Sequence, residues 1–122
     1  MPGPRLITER QISEFRDQIK GQVILAPLTR GGNVPFRRLC ADFGCKVTFG
    51  EMAFARMLLK GQLKEKALLQ RAANERCYGV QIATNNIAEG VGAAKLAAET
   101  GAQFVDLNVG CPIYEATRRG LG

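Results

Sequence analysis

Gln103-Phe104-Val105-Asp106-Leu107-Asn108-Val109-Gly110-Cys111-Pro112 decides how the rest of the chain is read. Its first half is a short run of aromatic, β-branched and aliphatic residues entered from a glycine turn at Gly101, which predicts a buried strand. The run stops at Gly110-Cys111-Pro112. Glycine permits backbone angles that other residues resist, and proline fixes its own φ and removes a donor. The cysteine between them is therefore held on a stiff turn at the carboxyl end of a strand. In barrels and open sheets of parallel strands, active sites are built at that end. Unpaired cysteines are also commonly small buried hydrophobes in turns, so this segment alone leaves both readings open.

Working outward, three more apolar runs have strand character: residues 23–26, stopped by Pro27; residues 45–49; and residues 78–83. Helical spacing separates them. Thr8 is placed to cap a helix over residues 8–19 that ends near Gly21. Asn33 is placed to cap another over residues 34–43, with Pro35 in its first turn and Gly44 as a left-handed stop. Phe36, Leu39, Cys40 and Phe43 recur on one face of that helix and predict its core-facing stripe. Further helices are expected over residues 53–59 and 63–75, separated by Gly61. Asn86 and Glu89 have capping-box spacing at the start of the next helix, whose expected apolar stripe is Ile87, Val91, Ala94 and Ala98. Gly90 and Gly92 each weaken that helix by about 1 kcal/mol relative to alanine, so packing must hold it. Alternation of strand and helix with short connections predicts parallel strands with helices outside. No linker divides the chain; residues 1–21 read as a helical lead-in and residues 22–122 as the strand-bearing unit.

Composition narrows the class. The 122 residues are 46% hydrophobic and 23% charged, which fits a folded globular domain. No apolar run approaches the roughly 18 residues of a membrane span, and the amino terminus lacks the apolar centre of a secretory signal. Cys40, Cys45, Cys77 and Cys111 are expected as thiols without a secretory context, and a chain without histidine offers no zinc spacing. The net charge of +6 suits a polyanionic partner such as RNA, although basic residues spread along the chain also suit solvated helix faces. A cytoplasmic location is expected.

The strand ends carry the specific signal. Leu25-Ala26-Pro27-Leu28, Pro35-Phe36-Arg37-Arg38-Leu39, Gly50-Glu51-Met52, Gly79-Val80-Gln81-Ile82 and Asp106-Leu107-Asn108-Val109-Gly110-Cys111-Pro112 follow in order, closed by Arg119-Gly120-Leu121-Gly122. This set resembles the tRNA-dihydrouridine synthases, flavin-dependent (β/α)8 barrel enzymes. It looks most like the eukaryotic branch acting on the tRNA variable loop. The resemblance implies reduction of a uridine in tRNA, with hydride from reduced FMN to C6 and a proton from a cysteine to C5. Cys111 matches that cysteine. Pro27, Leu28, Thr29 and Gln81 match the flavin contacts, Asn108 matches the residue beneath the substrate base, and NADPH is the implied reductant. Arg30 departs from the small residues common at its position and is assigned no role.

Plainer readings stand beside these. Gln81 could be bonded only to neighbouring backbone, Glu51 reads better as a structural brace than as a catalyst, and Pro27 could be a simple strand terminator. A complete barrel takes roughly 250 residues, so four strands predict the amino-terminal half of a larger enzyme: a fragment, a truncated gene model or a short isoform. Alone, such a half would expose open edges, associate with itself and bind FMN poorly. Two other functions remain open at this point. One is another FMN barrel, of the ene-reductase or dihydroorotate dehydrogenase type; the other is a non-catalytic RNA-binding isoform.

Overall fold

The computed structural model describes residues 6–121. Its elements run α1 (Glu9–Ile19), β1 (Ile24–Leu25), α2 (Val34–Asp42), β2 (Val47–Phe49), β3 (Ala53–Phe54), α3 (Ala55–Leu59), α4 (Leu63–Ala67), β4 (Cys77–Ala83), α5 (Ile87–Glu99), β5 (Phe104–Leu107) and α6 (Tyr114–Thr117). Every strand pairing among the described residues is parallel. Phe49 pairs with Gly79 and Ala53 with Ile82, while Gly79 and Ile82 also pair with Phe104 and Leu107 of β5. β2 and β3 therefore lie end to end along one edge of β4, with β5 along the other. The five segments fill four positions, β1, β2/β3, β4 and β5, in chain order. A doubly wound sheet would reverse that order at a switch point. This is a parallel α/β arrangement of four consecutive staves of a (β/α)8 barrel.

Register divides the sheet into two faces, because alternate side chains point to opposite sides. Tyr78, Val80 and Ile82 pack with Ala53, Ala55, Leu58, Leu69, Ala93 and Ala97 into the main core under α3 and α5. Gly79 and Gln81 face the other way, in register with Phe49, Phe104 and Asp106. On that inner face the Phe104 ring lies against Phe15 of α1 at 5.2 Å and against Phe49 at 4.9 Å between centroids. A β-carbon on Gly79 would sit 2.1 Å from the Phe104 ring. The absence of a side chain at Gly79 is what lets three aromatic rings fill this layer.

A buried ion pair fixes the outer face. Arg37 Nε donates to Glu75 Oε1 at 2.8 Å, and neither side chain is more than 1% exposed. The Arg37 guanidinium also donates to the Gly32 and Gln70 carbonyls and lies over the Tyr78 ring at 5.2 Å. Glu75 accepts from Thr48 Oγ1 at 2.8 Å and from the Ala72 N–H at 2.7 Å.

Several sequence expectations change here. The stripe expected to face the core from α2 does not do so: Leu39 and Phe43 are exposed and Arg37 is buried. The buried carboxylate of Glu75 demands a cation, and the helix is rotated to supply it. The helix expected over 63–75 ends at Ala67, because Glu75 captures the Ala72 N–H and Arg71 donates to the Glu75 carbonyl. Residues 53 and 54 join the sheet as β3, so the helix expected from residue 53 begins at Ala55. In α5 the buried residues are Ala93 and Ala97, while Ile87, Val91 and Ala98 are exposed. A β-carbon on Gly92 would lie 2.9 Å from Leu59, so α5 meets α3 on its smallest residues and turns its bulky ones outward. Asn86 caps α5 through the Glu89 N–H, but the Glu89 side chain pairs with Arg56 and completes no capping box. The fully buried strand is β4, which has β2 and β3 on one side and β5 on the other; Val105 and Leu107 of β5, a strand paired on one side among the described residues, are exposed.

Gly79→Ala is expected to destabilise the fold by about 2 kcal/mol through overpacking against Phe104, and a companion Phe104→Leu change to recover part of that loss in urea titrations. Burial pushes the Tyr78 hydroxyl up to about 12, with Arg37 opposing the shift. Its unfolded value is about 10, so the folded state holds the proton longer. Stability linked to Tyr78 is complete below about pH 10 and falls as pH rises towards 12. Urea midpoints measured across that window in native protein and in Tyr78→Phe should converge.

Candidate functional site

Parallel register brings every strand's carboxyl end to one side of the sheet, and the polar inner residues lie at that end. Gln81 is in register with Asp106, one inner-facing level above the Phe49–Gly79–Phe104 layer. Gln81 Nε2 donates to Asp106 Oδ2 at 2.7 Å, and Asn108 Nδ2 donates to Gln81 Oε1 at 3.1 Å. Asn108 Oδ1 accepts the N–H groups of Gly110 at 3.2 Å and Cys111 at 3.1 Å. The side chain of Asn108 thus closes the turn that carries Cys111. Gln81, Asn108 and Cys111, distant in sequence, form one connected constellation. Gln81 is bonded to side chains, which removes the reading that it serves only neighbouring backbone.

Cys111 is half-buried and packs against a small cluster of Met52, Ala83 and Ala116. It differs from Cys77, which is 1% exposed and whose thiol is pushed up by burial. All four cysteines are unpaired.

Pro27, Leu28 and Thr29 lie just past the end of β1, with Pro27 half-buried and the other two exposed. They are not hydrogen-bonded to the Gln81 constellation. β2 stands between β1 and β4, a separation of roughly 10 Å at the usual strand spacing. The loop is tied down at two points. The Leu28 carbonyl accepts from Gly31 and Gly32, and Arg37 takes the Gly32 carbonyl. A β-carbon on Gly32 would approach the Leu28 oxygen to 3.0 Å, so a side chain there would crowd this close turn.

Arg30 has a left-handed φ of 64°, and its N–H donates to the Glu51 carboxylate. Glu51 is accordingly a brace, and what it braces is the loop after β1. The segment Gly50-Glu51-Met52 links two parts of the site. Glu51 holds the β1 loop, and Met52 packs in the cluster that receives Cys111.

A cavity of about 340 Å³ shares Phe54, Ala83 and Leu121 with the cluster that holds Cys111, and its walls also include Arg56, Glu89, Arg118 and Arg119. Arg119 sits over the Phe54 ring at 5.0 Å, and both Arg118 and Arg119 donate to Glu115. These ion pairs hold the Glu115 carboxyl below the usual range, with the Arg118 hydrogen bond foremost.

Asp106 joins the site without a role expected for it from the sequence. Its signal was period-two spacing: Phe104, Asp106 and Asn108 share one face of the strand, so a carboxylate was bound to neighbour the amide of Asn108. Gly122, last residue of the glycine-rich stretch, and residues 1–5 of the amino terminus lie outside the described residues. Among the described residues no helix is long and apolar enough to cross a membrane.

Comparison with known proteins follows the same residues. A family model described as dihydrouridine synthase (Dus) matches residues 24–122. The chain belongs to the dihydrouridine synthase family. A human tRNA-dihydrouridine(47) synthase-like protein is 45% identical over 114 residues, covering 93% of this chain and 18% of its own length. The tRNA-dihydrouridine(47) synthase of Coprinopsis cinerea is 43% identical over 106 residues, 84% of this chain and 16% of that protein. A rice relative of the same name, also "-like", is 41% identical over 119 residues, 95% of this chain and 16% of that protein. All three names carry NAD(P)(+). The chain spans less than one fifth of the length of these dihydrouridine synthases.

Glu51→Ala removes the acceptor for the Arg30 N–H. Hydrogen exchange at Arg30 is expected to speed by about tenfold, while exchange in β4 stays unchanged. Equal acceleration in β4 would show that Glu51 does not act locally.

Proposed function

We propose that this chain supplies part of the active site of an enzyme that reduces uridine to 5,6-dihydrouridine in tRNA. FMN is its cofactor and NADPH its reductant. The observation that carries this reading is the Gln81–Asn108–Cys111 constellation at the carboxyl end of parallel strands. The names of the relatives extend the proposal to position 47 of tRNA.

The residues present suit a flavin. Gln81 retains one N–H and acceptor capacity for a heterocycle whose edge alternates donors and acceptors. Pro27, Leu28 and Thr29 lie two strand spacings away, behind a loop whose glycines permit close backbone approach. These four residues would edge the ring, and FMN when bound and reduced supplies the hydride for uracil C6. Asn108 would lie under the uracil.

Cys111 would give its proton to C5. A proton donor of this kind must reach the carbon that receives the proton, which a cysteine on a short turn at the strand end can do. The Asn108 hydrogen bonds to the turn hold the cysteine backbone in place for that transfer.

The net charge of +6 supports a polyanionic substrate. Unpaired thiols support a reducing compartment, and a cytoplasmic site of action is part of the proposal. Self-association through the exposed edge of β5 is part of it for the isolated chain.

In the full-length polypeptide, Cys111→Ala is expected to lower dihydrouridine formation by about 10²–10⁴-fold while leaving the flavin absorbance spectrum of the purified protein intact. Mass spectrometry of unmodified tRNA after incubation with NADPH measures the first quantity. Retention of native activity would remove Cys111 as proton donor. Reduction of a small enone without reduction of tRNA would favour another flavin reductase.

A further inference from the structure

We propose that Asp106 is a positioning residue for the Cys111 turn, acting through the side-chain amides of Gln81 and Asn108. Its consequence for catalysis rests on Cys111 being the proton donor; the geometry itself does not.

The hydrogen bonds form a line of fixed direction, and both of its ends dictate the same direction. At one end the partners are the backbone N–H groups of Gly110 and Cys111, which only donate, so Asn108 must turn its oxygen to them. Its Nδ2 then faces Gln81 and needs an acceptor, which is Oε1. Gln81 is left to donate through Nε2, and Asp106 Oδ2 receives that hydrogen at 2.7 Å. At the other end a carboxylate only accepts, which independently forces the same orientation on Gln81. An amide side chain has two nearly isosteric orientations, and the wrong one here sets N–H against N–H or oxygen against oxygen. Gln81 is 8% exposed, so water is poorly placed to repair such a mismatch.

The fixed direction has a chemical result. Asn108 Oδ1 is occupied by two donors, and each amide keeps one uncommitted N–H. Each amide can therefore offer one donor to a carbonyl oxygen of a pyrimidinedione edge, beside the acceptor capacity left on Gln81 Oε1. Asp106 thus reinforces, from the far end of the line, the amide orientation that the turn's N–H groups dictate at Asn108, and so supports the backbone position of the cysteine.

The test uses the full-length polypeptide without flavin or tRNA and reads the rate at which iodoacetamide alkylates each cysteine, resolved by peptide mass spectrometry. Gln81→Glu replaces the donor facing Asp106 with a second carboxylate and should release the turn, raising Cys111 alkylation about tenfold relative to Cys45. Adding Asp106→Asn restores a donor opposite the new carboxylate and should return Cys111 to within about twofold of native. Asp106→Asn alone should leave Cys111 near its native rate, since its carbonyl oxygen can accept from Gln81, whereas Asp106→Ala should raise it. An unchanged rate in Gln81→Glu, or no recovery in the double variant, overturns the proposal. So does an equal rise at buried Cys77, which would report general loosening. If Gln81→Glu does not fold, the contrast between Asp106→Ala and Asp106→Asn decides by the same criterion. Because no turnover is read, failure here is distinguishable from failure of the proposed activity.

Discussion

The Arg37–Glu75 pair is the constraint on which the rest of the outer layer depends. Withdrawing two charges from water costs several kcal/mol per ion, repaid only when nearly every donor and acceptor is used. Here the repayment is complete for the carboxylate: Arg37, Thr48 and the Ala72 N–H all converge on Glu75. The guanidinium in turn holds Gly32 and Gln70. One ion pair thereby locks α2, β2, the loop after β1 and residues 70–75 to each other. Removing either partner alone would leave a buried charge without compensation, which is far worse than never having had the pair. The link to function is direct, because Gly32 donates to the Leu28 carbonyl in the loop proposed to edge the flavin.

The inner face is graded along the strand direction. Val47 and Cys77 pair at the amino end, the Phe49–Gly79–Phe104 layer lies above them, and Gln81 with Asp106 lies above that. Both layers depend on the same parallel register. A one-residue slip of β5 would carry Phe104 and Asp106 to the opposite face and separate Asn108 from Gln81. Packing and site geometry are in this sense one specification.

The bulge-like segment Gly50-Glu51-Met52 shows how the site is tied across strands. β2 and β3 share one edge of β4, but three residues of the chain stand opposite two of β4 between them. The extra residue lets Glu51 reach the Arg30 N–H while Met52 turns into the cluster holding Cys111. Gly50 accommodates the approach of the Tyr78 hydroxyl and the Leu68 carbonyl, each within about 3 Å of where a β-carbon would stand. A short motif thus connects the two halves of the proposed active site without touching substrate.

Local chemistry determined much of this protein directly from its residues. Thr8, Asn33 and Asn86 cap helices because a side-chain oxygen next to unpaired N–H groups needs no tertiary partner. Alternating short strands and helices dictated a parallel α/β arrangement, and proline and glycine marked the strand ends where Pro27, Asn108 and Cys111 are found. Tertiary structure alone decided which helix faces are buried. Hydrophobic periodicity favoured Phe36, Leu39 and Phe43 on α2, and a carboxylate 38 residues away from Arg37 overruled it. Bulky apolar residues on α5 lost to glycine and alanine, because close approach to α3 depends on shape rather than hydrophobicity. The direction of the Asp106–Gln81–Asn108 line belongs to the same class: a hydrogen bond across 25 residues exists only once register has brought its ends together.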